Sequence, residues 1–136
     1  MILADTSAWV EYDRATGSAV DRRLAALVSS GGPLAVCEPV VMEVLAGARD
    51  DRREDDLRRL LARFELLRFD PAADFDGAAR IHRRCRRAGV TPRGMVDCTI
   101  ASVAWRRGAA LLAHDAALGR VARVVGIELD EASLRG

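Results

Sequence analysis

The sequence predicts an α/β protein, a three-layer α/β/α sandwich with a central parallel β-sheet of four to five strands. Short, continuously apolar runs such as LAVC and AALLAH alternate with amphipathic helical segments along the chain. Strands buried on both faces of a parallel sheet have this uninterrupted apolar character, and helices between them supply the crossovers. The chain has 136 residues and no linker or low-complexity tract, so we expect a single domain over residues 1–136.

Four apolar runs predict the strands of the sheet, and a fifth run is a weaker candidate. They are ILAD (2–5), LAVC (34–37), ELLRF (65–69) and AALLAH (109–114), with GIEL (126–129) as the fifth. Their even distribution along the chain leaves room for a helical crossover between each pair, as parallel strands require.

Helices are predicted in the intervening segments. Thr6 or Ser7 is expected to cap the first helix, and Pro39 is expected to begin the third. The segment 53–64 places leucines and a phenylalanine at i, i+3, i+4 and i+7, which predicts one buried stripe. In the segment 73–89 the predicted buried face consists of Phe75, Ala78, Ala79, His82 and Cys85. Further helices are expected at 20–30, 95–107 and 115–124.

The composition favours a protein of the cytoplasm. No apolar run reaches the length of a membrane span, and the opening MILAD is typical of a strand rather than of a basic leader. Cys37, Cys85 and Cys98 have no metal-type spacing and fall in apolar contexts. We therefore expect reduced cysteines that pack in the core.

Arginine supplies all 21 basic residues of the chain. The segment 80–93 holds six arginines and no acid, so this helix face could follow the phosphates of a nucleic acid. A solvated helix face explains the same run equally well, and a GC-rich coding sequence would explain the arginine usage. The segment 48–59 mixes both signs at helical spacing, which is typical of an ordinary wet helix surface.

Four carboxylates stand apart from the other acids because their neighbours are apolar. Asp5 ends the first predicted strand and Asp115 follows the fourth, while Glu43 and Asp97 lie on helices among apolar residues. Ligands of parallel sheets bind beyond the carboxyl ends of the strands, where these acids are expected. Any one of them could simply cap a helix. Two unit charges about 4 Å apart repel by about 1 kcal/mol even in water, so four converging acids require protons or cations.

A ligand set made only of oxygens, without His or Cys, suits Mg²⁺ or Mn²⁺. Such ions orient a phosphodiester and lower the pKa of a bound water, so the acids predict metal-assisted phosphodiester hydrolysis. The chain has no GxSxG, P-loop or GxGxxG motif that would indicate a competing chemistry.

Four segments resemble the acidic motifs of the PIN domain, and more narrowly those of the VapC toxins of bacterial VapBC toxin–antitoxin pairs. They are MILADTSAWVEY, VVMEVLAGA, MVDCTIAS and LLAHDAALGRVA, and they span essentially the whole chain in the family's order. The resemblance implies an Mg²⁺- or Mn²⁺-dependent endoribonuclease that cuts transfer or ribosomal RNA. It also implies a homodimer that a cognate VapB antitoxin holds inactive by covering the active site.

The resemblance assigns roles to individual residues. Asp5, Glu43, Asp97 and Asp115 would be the catalytic acids and metal ligands, with Asp5 and Asp97 as the principal ligands. Thr6 would lie near the metal or the scissile phosphate. The fourth motif reads DAAL where the family often has Asp-x-Asp-Phe, which leaves Asp115 as its only acid.

Arg93 lies four residues before Asp97 and is a candidate for binding substrate. It could contact an RNA phosphate or pair with a carboxylate of the site, and an ordinary exposed arginine is as good an explanation.

Other functions fit parts of the same pattern. A haloacid-dehalogenase-type phosphotransferase and a two-component receiver domain also place acids at a sheet edge, but both generally rely on a lysine, which this chain lacks. A catalytically weak PIN-like module that only binds RNA or a partner stays open as the alternative.

Overall fold

A four-stranded parallel sheet lies at the centre of the computed structural model, which describes residues 1–134. The strands are β1 (Ile2–Ala4), β2 (Leu34–Val36), β3 (Glu65–Leu66) and β4 (Ala110–Leu112), and their order in the sheet is β3-β2-β1-β4. The predicted α/β class with a parallel sheet is confirmed. The candidate fifth strand is reduced to a single parallel bridge between Leu111 and Leu129.

The helices that flank the sheet occupy the segments where they were predicted. In the described part of the chain they are α1 (Thr6–Asp13), α2 (Ala19–Ser30), α3 (Glu38–Ala46), α4 (Asp51–Leu61), α5 (Pro71–Arg87), α6 (Met95–Arg107) and α7 (Ala116–Val125). All residues of β1 and β2 are buried. Successive side chains of a strand point to opposite faces, so both faces of the sheet are covered and the architecture has three layers.

The first helix begins one residue earlier than predicted. Asp5, not Thr6 or Ser7, is the N-cap of α1, and its carboxylate accepts a hydrogen bond from the Ser7 backbone N–H. The chain passes from β1 into α1 with no intervening loop. As a result the last residue before the helix also stands at the carboxyl end of the central strand.

The predicted buried face of α5 was partly wrong. Phe75 is 62% exposed and Ala79 is also exposed, whereas Asp74 and Ile81 are buried together with the correctly predicted Ala78 and Cys85. His82 is half-buried. The buried face is displaced toward Asp74 because that acid has strong partners on α6.

Those partners form a buried ionic network between α5 and α6. Arg106 donates to the Asp74 carboxylate through Nε at 3.0 Å and Nη2 at 2.7 Å, and Ser102 Oγ donates to it at 2.8 Å. Burial alone would raise the pKa of Asp74, but the hydrogen bonds from Arg106 and its neighbours lower that pKa below its ordinary value. Asp74 is therefore an ionised structural residue that anchors α5 against α6.

The predicted stripe on α4 and the predicted burial of the cysteines agree with the structure except at Leu60 and Phe64, which are only half-buried. Leu57 and Leu61 of α4 are buried, and the outer side of that helix carries ion pairs between its own residues. The three cysteines are free and buried. In residues 1–134 no helix is both long enough and apolar enough to cross a membrane.

Candidate metal centre

Three carboxylates meet beyond the carboxyl end of β1. Asp5 follows the strand directly, Glu43 comes from α3 and Asp97 from the first turn of α6. Each offers one oxygen, and these oxygens all lie within 4.8 Å of one another. The structure thus brings together three of the four acids that the sequence singled out.

Asp5 is the most deeply buried of the three, with 3% of its surface exposed. Its Oδ2 accepts hydrogen bonds from the Ser7 backbone N–H at 3.1 Å and from Ser7 Oγ at 2.7 Å. Its buried Oδ1 has no hydrogen-bond partner among the described residues. Burial raises the pKa of Asp5, and the hydrogen bonds from Ser7 only partly oppose that effect. A buried carboxylate oxygen without a donor is costly, and a cation would compensate it.

Ser7 is the residue of this site that the sequence interpretation missed. Besides donating to Asp5, its Oγ accepts a hydrogen bond from the His114 backbone N–H at 2.9 Å. One hydroxyl therefore connects the chain after β1 to the chain after β4. The Asp-Thr-Ser step carried the signal, but the sequence alone suggested only a helix cap for Ser7.

Asp97 is held among other negative charges. Burial and, after it, the charges of the other three acids raise the pKa of Asp97 to about 6, with Arg93 acting in the opposite direction. Asp97 lies in the first turn of α6, where the helix dipole favours an anion by about 0.3–1 kcal/mol. The carboxylate thus stays available for a cation near neutral pH.

Thr6 fixes the orientation of Glu43. Its Oγ1 donates a hydrogen bond of 2.6 Å to Glu43 Oε1, so α1 and α3 are connected at the site. The resemblance implied a position near the metal or the scissile phosphate for Thr6, and in the structure its hydroxyl is engaged by a carboxylate of the cluster.

Asp115 lies beside the three-acid cluster and is not a member of it. Ala4 pairs with Leu112 in the sheet. Asp5 follows Ala4 directly, whereas Asp115 comes three residues after Leu112. The chain bends at His114, between β4 and Asp115. The Asp115 carboxylate caps α7, with Oδ1 accepting hydrogen bonds from the backbone N–H groups of Ala117 at 2.9 Å and Leu118 at 3.3 Å.

Arg93 pairs with Asp115, with 3.2 Å between Nη2 and Oδ1. Of the roles considered for this residue, pairing with a site carboxylate is the one the structure shows. Its side chain is nevertheless 71% exposed, so most of the guanidinium faces solvent next to the acids.

The three clustered acids fit a hard divalent cation. The donor set consists only of carboxylate oxygens, which suits Mg²⁺ or Mn²⁺, and Asp5 Oδ1 is buried without a donor. The residues that could hold such an ion are Asp5, Glu43 and Asp97, with Asp115 close enough to influence the pKa of Asp97.

A small parallel sheet with an acidic cluster at its carboxyl edge places the chain in the PIN domain family, whose model matches residues 2–124. Over 129 residues it is 46% identical to the VapC ribonuclease Mb1587 of Mycobacterium bovis and to the ribonuclease VapC11 of Mycobacterium tuberculosis. The match covers 94% of this chain and 96% of each relative. The resemblance to PIN domains and VapC proteins is confirmed.

Solved structures with the same fold come from toxin–antitoxin complexes. A chain of the DNA-bound VapBC2 complex from Rickettsia felis aligns with a TM-score of 0.76 at 19% identity, covering 98% of this chain and 99% of its own. A chain of the DNA-bound VapBC complex from Salmonella typhimurium aligns with a TM-score of 0.73 at 22% identity, covering 95% and 96%. At these identities the agreement concerns the fold.

Proposed function

We propose that this chain is a divalent-metal-dependent endoribonuclease and the toxin of a toxin–antitoxin pair. The convergence of three carboxylates around the unpartnered Asp5 Oδ1 is the observation that carries the proposal. The 46% identity to two VapC ribonucleases over almost the entire chain supports RNA as the substrate.

Mg²⁺ or Mn²⁺ is the proposed cofactor, with Asp5 and Asp97 as the principal ligands and Glu43 and Asp115 completing the site directly or through water. An ion held by these residues would orient the scissile phosphate and would supply activation of the attacking water.

The residues of the chain prepare the site for that chemistry. Ser7 holds Oδ2 of Asp5, which leaves Oδ1 without a donor among the described residues and available to a cation. Thr6 holds Glu43 in the same way. Arg93 is placed to contact an RNA phosphate, because its exposed guanidinium adjoins the acids and retains donors beyond the one that it gives to Asp115.

The proposed partners follow from the relatives. A cognate VapB antitoxin would neutralise the toxin, and the DNA-bound VapBC complexes with the same fold support an assembly of that kind. We propose that the toxin is a homodimer that acts on transfer or ribosomal RNA in the cytoplasm, where those substrates are found.

Metal-dependent cleavage by the purified chain tests the proposal. Wild type and Asp55→Asn, a control at an exposed acid of α4, should cut bulk transfer or ribosomal RNA with Mn²⁺ or Mg²⁺ and should not cut it with EDTA. Asp97→Asn should not cut either RNA, with or without metal. Cleavage by Asp97→Asn with ordinary metal dependence would show that the site is assigned incorrectly. RNA binding by wild type without any cleavage would favour the catalytically weak binding module instead.

A further inference from the structure

A surface of arginines on α5 and α7 is not used by the acidic site. Between residues 80 and 127 the chain has ten arginines, and its only acids are Asp97 and Asp115. We call the exposed members of α5 and α7 the arginine surface, leaving out Arg80 because it pairs with Asp76. They are Arg83, Arg84, Arg86, Arg87, Arg120 and Arg123, and none of them forms an ion pair with another described residue.

Arginine-rich composition alone does not explain this surface. On α4 the arginines have acids at helical spacing, as in the pairs of Arg58 with Glu54 and Arg59 with Asp56. On α5, Arg80 lies four residues before Arg84 and Arg87 lies three residues after it. Like charges at this spacing destabilise a helix, whereas the last turn of α5, which holds Arg84, Arg86 and Arg87, favours cations by about 0.3–1 kcal/mol each. Because these two effects oppose each other, helix stability is a weak reason for the arginine surface, and a ligand with negative charge is a stronger one.

The two helices present their arginines side by side. Arg84 and Arg87 of α5 line one shallow hollow with Val124 of α7. Arg120 lies four residues before Val124 and therefore on the same side of α7. The two sets of guanidinium groups thus form one surface.

This surface begins at the acidic site. Asp115 is the N-cap of α7 and the partner of Arg93, and from that end α7 leads past Arg120 to Arg123. At 1.5 Å per residue the distance along the helix axis from Asp115 to Arg123 is about 12 Å. Such a length spans between three and four nucleotides at about 3.4 Å of axial rise per nucleotide.

We propose that the arginine surface binds the phosphate backbone of the RNA substrate on one side of the scissile bond. The proposal rests on the proposed ribonuclease function. Arginine forks match phosphate oxygens in two-point contacts, and the missing acids leave the guanidinium groups free of competition within the chain. Contacts of this kind position RNA without reading its sequence, so the arginine surface would set affinity and orientation.

Salt-dependent binding of bulk transfer RNA, measured in EDTA so that no cleavage occurs, tests the proposal. The variant Arg84→Gln/Arg87→Gln should bind more weakly by about tenfold at low salt, and the slope of log K against log salt should fall by about 1–2. The matched control Arg58→Gln/Arg59→Gln removes the same charge from α4 and should bind like wild type. Arg84→Lys/Arg87→Lys keeps the charge and should recover most of the affinity. Equal thermal melts would show that each variant is folded.

Two results would overturn the proposal. Unchanged RNA binding by Arg84→Gln/Arg87→Gln would show that the surface does not contact RNA. An equal loss in the α4 control would show that only total charge matters. Neither result affects the proposed function, which depends on metal-dependent cleavage by wild type. Conversely, a wild-type protein that binds RNA through these arginines but never cleaves it would retain the phosphate contact and would refute both the ribonuclease assignment and the placement beside a scissile bond.

Discussion

Replacing Asp97 by asparagine should remove activity and at the same time stabilise the metal-free protein. The pKa of Asp97 is raised from 3.8 to about 6, first by burial and then by the charges of Asp5, Asp115 and Glu43. A carboxyl group whose pKa is higher in the folded state disfavours folding when it is ionised. Asparagine has nearly the same shape and no charge to bury.

The magnitude follows from that pKa change. Each pKa unit is worth about 1.36 kcal/mol, so full ionisation of Asp97 costs the fold at most about 3 kcal/mol. Asp97 is partly exposed, so solvent screening reduces this cost. The helix N-terminus also favours the charged form by about 0.3–1 kcal/mol. We expect Asp97→Asn to raise the free energy of unfolding by about 1–2 kcal/mol, and Tm by about 4–8 °C.

The pH dependence of this gain distinguishes charge relief from a general packing effect. Below about pH 3 the carboxyl is mostly protonated in both the folded and the unfolded protein, so the two variants should have the same Tm. The gain should develop as pH rises from about 4 to 6 and stay constant above about pH 7. Differential scanning calorimetry in EDTA across this pH range measures the Tm difference between wild type and Asp97→Asn.

Millimolar Mn²⁺ supplies the second half of the experiment. Metal should raise the Tm of wild type, because an ion that binds only the folded state stabilises it, and should raise the Tm of Asp97→Asn much less. The reasoning would be refuted if the asparagine variant were less stable than wild type at pH 8, or if its advantage were the same at pH 4 and pH 8.

Three further outcomes are expected. Arg106→Ala should lower the free energy of unfolding by about 3 kcal/mol in urea titrations, because it leaves the charge of Asp74 buried without its partner. Recovery of stability in the double variant Asp74→Asn/Arg106→Leu would confirm that cause, and a loss under about 1 kcal/mol in Arg106→Ala would contradict it. Arg93→Ala should change stability by less than about 0.5 kcal/mol, because its side chain is 71% exposed, but should move the acid limb of the pH–activity profile to higher pH. The direction follows because Arg93 lowers the pKa of Asp97, and a shift to lower pH would disprove it. Burial raises the thiol pKa of Cys37 to about 12 and that of Cys98 to about 11. Iodoacetamide at pH 8 should therefore modify neither cysteine in the folded protein and both after unfolding in urea, as mass spectrometry would show. Modification of either cysteine in the folded protein would contradict this prediction.

The sequence was sufficient for the architecture and for most of the acidic cluster. Apolar runs of strand length and helical spacing between them predicted the layers. Asp5, Glu43 and Asp97 were identifiable because a charged residue among apolar neighbours is costly unless a partner compensates its charge. These signals depend only on local residue pattern, which one sequence contains in full.

What the sequence could not provide depends on distances between remote segments. Asp115 resembled the other acids by its position after a strand, but in the structure its carboxylate caps α7 and pairs with Arg93. The sequence around Asp74 does not indicate that Arg106, 32 residues later, is its partner. The same pairing explains why Phe75 is exposed although apolar spacing suggested otherwise.

The hydroxyl of Ser7 has a consequence for how the site would acquire its ion. It joins the ends of β1 and β4 through Asp5 and the His114 N–H, using hydrogen bonds between groups of the chain itself. We therefore expect the carboxylates to receive a cation without a backbone rearrangement. We expect metal loading to release protons, mainly from Asp97 below neutral pH, with little change in backbone order. A toxin organised in this way would become active as soon as its inhibitor is lost, with no separate folding step to delay it.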